Sequence, residues 1–145
     1  MSFLFKKICI ASDHAGFDLK EDIKNYLINK NVSIFDLGPY EKQSVDYPDY
    51  AKKLGNRIKL KKSDVGILVC GSGTGMAISA NKIKDIRAAV CYNLKSTRLS
   101  RQHNNANIIA IGSRLIKKKL SFKLVEEFLT TKFEGGRHLK RIKKI

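Results

Sequence analysis

Five times along the chain a short apolar run is followed by a longer stretch with helical periodicity, and that alternation restricts the fold more than any other feature. KICIAS (7–12), VSIFDL (32–37), VGILVC (65–70), RAAVCY (87–92) and NIIAIG (107–112) read as strands. FDLKEDIKNYLINK, a segment opening near Pro48, MAISANKI, LKSTRLSRQHN and LIKKKLSFKLVEEFLTT read as the helices that follow them, and RHLKRIKKI as a terminal one. Phe17, Ile23, Tyr26 and Leu27 fall near one helical face, and proline is tolerated in a first turn. Strands that are nearly all apolar belong to a sheet covered on both faces, and strict β/α alternation makes that sheet parallel. The predicted architecture is a three-layer α/β/α sandwich around a five-stranded, Rossmann-like parallel sheet, with an added C-terminal helix.

In such sheets ligands bind beyond the carboxyl ends of the strands. Polar residues gather there: Asp13 and His14 after the first strand, Cys70 and its glycines after the third, and Gly112, Ser113 and Arg114 after the fifth. The 145 residues fit one domain over 1–145, with no Pro- or Ser-rich linker, internal repeat or low-complexity tract. Cys9, Cys70 and Cys91 are odd in number and form neither a CxxC pair nor a zinc spacing, which points to a reducing setting. The N-terminus places its lysines after its apolar patch, the reverse of a signal peptide, and no apolar run approaches membrane-spanning length. A cytoplasmic protein without a membrane partner is expected.

The net charge of +16 would suit a polyanionic partner such as nucleic acid. Only seven of the 29 basic side chains are arginine, however, and the lysines are scattered over helices and turns. A solvated lysine coat is the reading adopted, with no nucleic-acid partner.

The stretch CGSGTG (70–75) is neither of the two common phosphate loops. A P-loop needs Lys and Ser/Thr after its last glycine, where Met76 and Ala77 stand, and a dinucleotide fingerprint needs different spacing after the first strand. Its glycines still let backbone N–H groups approach a ligand, so an anion is expected, either a phosphate or an oxyanion formed during reaction. Cys70 lies at the same place. An ordinary thiol is only about 3% thiolate at neutral pH, and a positive helix end raises that share, so Cys70 is a candidate nucleophile or general base. Cys9 and Cys91 read as small buried hydrophobes. His103, in SRQHNNAN, reads by itself more readily as a cap or surface residue than as a catalytic one, and Arg137 and Arg141 at i, i+4 share a helical face that could grip a phosphate.

Five ordered motifs, SDHAGFDLK (12–20), DYPDYA (46–51), CGSGTGMAISANK (70–82), SRQHNNANIIAIGSR (100–114) and FEGGRHLKR (133–141), together make the chain resemble ribose-5-phosphate isomerase B, a family that also includes galactose-6-phosphate isomerase subunits. The resemblance covers essentially the whole chain. It implies a metal-free, cofactor-free aldose–ketose isomerase that opens a sugar-phosphate ring and passes through a cis-enediolate. D-ribose 5-phosphate and D-ribulose 5-phosphate are the expected pair, in the non-oxidative pentose phosphate pathway, with allose 6-phosphate or galactose 6-phosphate as the alternative. Carried over residue by residue, it makes Cys70 the base; some members use a glutamate from the next helix, but Met76, Ala77 and Ile78 stand there. The backbone amides of Gly71, Ser72, Gly73, Thr74 and Gly75, with the Ser72 hydroxyl, would stabilise the enediolate oxygen. His103 would open the ring with Asn104 beside it, Asp13 and Tyr47 would contact sugar hydroxyls, and His14, Arg114, Arg137 and Arg141 would hold the phosphate. The resemblance also implies a homodimer, or a dimer of dimers, with the site at the interface.

Overall fold

A computed structural model describes residues 2–145. The elements run β1 (Ile8–Ser12), α1 (Phe17–Asn29), β2 (Ile34–Asp36), α2 (Tyr47–Lys59), β3 (Val65–Cys70), α3 (Thr74–Ala80), β4 (Ala88–Val90), α4 (Leu94–Gln102), β5 (Ile108–Gly112), α5 (Lys118–Thr130) and α6 (Arg137–Ile142). All strand pairs are parallel and their order is β2-β1-β3-β5-β4. The expected three-layer sandwich with a terminal helix is what forms.

β1, β3 and β5 are buried along their whole length, as their continuous apolar runs require, whereas β2 and β4 are three-residue edges and only partly covered. Alternate residues of each central strand serve two different cores. Ile8, Ile10, Ile67, Val69, Ile109 and Ile111 meet Leu19, Ile23, Leu27, Leu124 and Phe128 of α1 and α5. Cys9, Ala11, Leu68, Cys70 and Ala110 face α2 and α3 through Leu54, Ile58, Met76 and Ala77. The smaller side chains on this second face let its helices lie close to the strands: a Cβ on Gly66 would stand 2.4 Å from Leu54 Cδ2.

Two helix starts differ from the sequence reading. α3 opens at Thr74, inside the glycine loop, because Gly73 takes the left-handed region (φ +79°) and its carbonyl accepts the first helical bond, from Ala77 N–H at 3.1 Å. α5 opens at Lys118, because the N–H groups of Leu115 and Ile116 both donate to Gly112 O and close a turn ahead of the helix.

Reading across the sheet, the chain leaves β1 toward β2 on one side and returns to β3 on the other. The crevice between the carboxyl ends of β1 and β3 is therefore the switch point at which open α/β sheets bind ligands.

Candidate active site

A cavity of about 400 Å³ opens at that crevice. Asp13 and His14 reach it from the end of β1, Cys70, Gly71, Ser72 and Gly75 from β3 and the following loop, Tyr47 from the first turn of α2, and Arg114 from the loop after β5. Ala15 and Leu115 complete its wall.

Backbone bonds between loops hold these groups in place. Ser113 N–H donates to Cys70 O at 2.8 Å and Arg114 N–H to Gly71 O at 3.0 Å, so the loop after β5 is bound to the loop after β3. Ser113 Oγ donates to Ala15 O at 2.8 Å, which adds the loop after β1. Cys70 itself is 4% exposed, and its Sγ accepts from Gly73 N–H at 3.1 Å. Thr74 N–H is directed to Ser72 Oγ at 3.3 Å. Two of the loop amides expected to face a ligand thus turn inward, one onto the sulfur and one onto the hydroxyl.

The glycines are also required by their neighbours. A Cβ on Gly71 would lie 2.8 Å from Arg114 Nη1, and one on Gly75 would lie 2.6 Å from the Tyr47 ring. The bare backbone lets the guanidinium and the phenol rest against the loop. On the opposite wall Asp13 Oδ1 accepts from Gly16 N–H at 2.9 Å, and His14 Nδ1 lies 3.2 Å from both N–H and O of Val45.

His103, Asn104, Arg137 and Arg141 do not line this cavity. His103 caps the end of α4, and the turn after it is clamped from below. Arg87 Nε donates to Asn104 O and Asn105 O, both at 3.1 Å, and Arg101 Nη1 to Asn105 Oδ1 at 2.9 Å and Ala106 O at 2.6 Å. Burial, with Arg87 nearby, lowers the Arg101 pKa to about 10. Arg137 and Arg141 both stand on α6, as their spacing predicts.

Sequence reasoning missed two residues beside His103. The His138 ring stacks on the His103 ring at 4.2 Å between centroids and 11° between planes, and Glu134 Oε1 lies 3.6 Å from Nε2 of each. The Glu134-to-His138 spacing of four was a visible signal, but nothing local joins either residue to position 103. The three side chains could suggest a metal centre, since their ligand atoms fall within 4.8 Å of one another. Ring geometry opposes it: imidazole lone pairs lie in the ring plane, and two nearly parallel stacked planes do not converge on one ion.

Residues 8–145 match the family model described as Ribose/Galactose Isomerase. The chain belongs to this family. Within the ribose/galactose isomerases it is 41% identical to ribose-5-phosphate isomerase B of Escherichia coli, over 97% of this chain and 94% of that one. A ribose 5-phosphate isomerase from Thermotoga maritima superposes with a TM-score of 0.93 at 54% identity, covering 95% of each chain. The Mycoplasma genitalium ribose-5-phosphate isomerase B, whose structure holds ribulose-5-phosphate, gives a TM-score of 0.90 at 42% identity over 94% of this chain and 91% of that one.

Proposed function

We propose that this member of the family interconverts D-ribose 5-phosphate and D-ribulose 5-phosphate, without a metal, by ring opening followed by a cis-enediolate. One observation carries the reading: Cys70, Ser72, His14 and Arg114 share one cavity at the switch point of the sheet, which supports a thiol base and phosphate-binding side chains acting on one ligand. The bound ribulose-5-phosphate of the M. genitalium relative supports the five-carbon substrate.

In this mechanism His14 and Arg114 hold the phosphate, joined by Arg137 and Arg141, while Asp13, Tyr47 and Asn104 contact sugar hydroxyls. His103 protonates the ring oxygen as the C1 hydroxyl loses its proton, giving the open aldehyde. The Cys70 thiolate then removes the C2 proton, and the C–H electron pair forms the C1–C2 double bond as the carbonyl pair moves onto O1. The loop amides not turned inward and the Ser72 hydroxyl stabilise that oxyanion, donors of the kind whose removal costs about 10²–10³ in rate elsewhere. The O2 proton is transferred to O1, and Cys70 returns its proton to C1 as the C2 carbonyl forms, leaving the ketose. The following helix, TGMAISA, contains no acidic residue and so offers no carboxylate to replace the thiol.

His103, Asn104, Arg137 and Arg141 lie off the cavity, so we infer that residues 1–145 act as one isomerase domain whose site is completed by a second copy, in a homodimer or a dimer of dimers. The reading places the protein in the cytoplasm, where sugar phosphates and reduced thiols coexist; among the described residues no helix is long and apolar enough to cross a membrane.

Conversion of ribose 5-phosphate in excess EDTA, with allose and galactose 6-phosphates run in parallel, tests the proposal. Turnover confined to the pentose is expected. Turnover of a hexose phosphate alone would move the substrate, and silence on all three would overturn the isomerase.

A further inference from the structure

The best-formed side-chain cluster outside the cavity is the stack of His138 on His103. His138 is 7% exposed on a six-residue helix whose other side chains are mostly in solvent, so its ring is the anchor of that helix. His103 retains 38% of its side-chain exposure, leaving one edge of its ring free to meet a ligand. The contact joins residues 35 positions apart and depends on the FEGG segment crossing to the end of α4, where Glu134 N–H donates to Gln102 O at 3.0 Å.

We propose that His138 is a positioning residue for His103: its stacked ring fixes the plane of the His103 imidazole and with it the bearing of the nitrogen that opens the sugar.

Two imidazolium ions stacked at 4.2 Å would repel, so protonation of one ring disfavours protonation of the other. His138 is packed away from water and is confronted by His103 from α4 and by Arg137 and Arg141 on its own helix, with Glu134 as the one opposing charge. Burial first, then those cations, lower the His138 pKa below the ordinary histidine value, against the pull of Glu134. Those surroundings favour the neutral form of His138. A planar partner also limits rotation of the His103 ring, which keeps Nε2 at one bearing.

This rests on the ring-opening role proposed for His103, and the tests separate the two. Imidazole NMR of the intact protein follows His138 itself. Removing a neighbouring cation in His103→Asn should raise its titration midpoint toward the ordinary value, and Glu134→Gln should lower it. A His138 midpoint unchanged in both variants would overturn the coupling, whatever the enzyme turns over.

The second test is kinetic. Ribulose 5-phosphate cannot close a furanose ring, so loss of its C1 hydrogen to D₂O reports proton transfer by Cys70 without ring opening. His138→Ala should slow conversion of cyclic ribose 5-phosphate about tenfold or more while changing that exchange less than about twofold, and His138→Phe, which keeps a planar partner, should restore most of the conversion. Equal losses in both reactions, or no rescue by phenylalanine, would reduce His138 to a packing residue and overturn the proposal.

Discussion

At the scale of single residues, the site depends on side chains that could be exchanged without unfolding anything. Cys70→Ala removes one sulfur at the end of a strand and leaves Arg114 and His14 untouched. It should lower kcat by about 10³-fold, within the range general bases contribute, while a phosphate-bearing inhibitor binds almost as before. Retained turnover in a steady-state assay would remove Cys70 from the mechanism. Gly75→Ala makes a different kind of test. Its methyl would stand 2.6 Å from the Tyr47 ring, so the phenol must swing away. The expected result is a KM raised severalfold with little change in melting temperature, and Tyr47→Phe should leave the steric fit intact while losing only the hydroxyl contact. The two histidines show where residue-level reading stops: His103 could be marked from its motif, but its stacking partner could not, because that contact is made by a segment returning from far along the chain.

Among the elements, β2 is the one held by charge rather than burial. Lys20, fully buried on α1, donates to both oxygens of Asp36 at 2.8 and 2.9 Å and to Pro39 O at 2.8 Å, and Lys24 adds a bond to Asp36 at 2.9 Å. Lys20→Ala leaves that carboxylate short of its buried partner, and urea denaturation should show a loss of about 3–5 kcal/mol. Burial opposes ionisation of Asp36, but the hydrogen bonds from Lys20, Lys24 and Gly38 N–H overcome it and hold its pKa below the usual carboxylate range. Its contribution to stability is therefore complete above the unfolded value of about 3.9 and lost as pH falls through the lower folded one. A melting curve measured from pH 5 downward should fall more steeply for the native chain than for Asp36→Asn. Local signals revealed the elements, apolar runs and helical faces for most and Pro48 for the start of α2. They misplaced the start of α3 because a left-handed glycine, rather than the apolar pattern, decides where that helix begins. They could not give the order β2-β1-β3-β5-β4, which is set by how the helices divide between the two faces. Nor were β2 and β4 read from the sequence as edges, although Ser33 and Asp36 interrupt the apolar run around β2.

For the whole molecule, the division between the cavity and the His103, Arg137 and Arg141 group makes a stoichiometric prediction. Cys70→Ala and His103→Asn chains, each inactive alone, should regain about a quarter of native activity when unfolded and refolded together in equal amounts, because half the dimers are mixed and each mixed dimer has one intact site. No recovery would show that each chain builds its site alone. The charge of +16 should appear as kcat/KM for a phosphorylated substrate that declines with ionic strength, since a cationic surface steers anions only within a Debye length. The distribution of thiols over the molecule has a separate outcome. Burial pushes the Cys9 thiol up to about 11 and raises Cys91 as well, while Cys70 is the cysteine that lines the cavity. In the proposed mechanism the working group is a thiolate, which hands control to oxidants: one equivalent of peroxide or alkylating agent entering the cavity would silence the protein with its fold unchanged, and bound sugar phosphate would shield it.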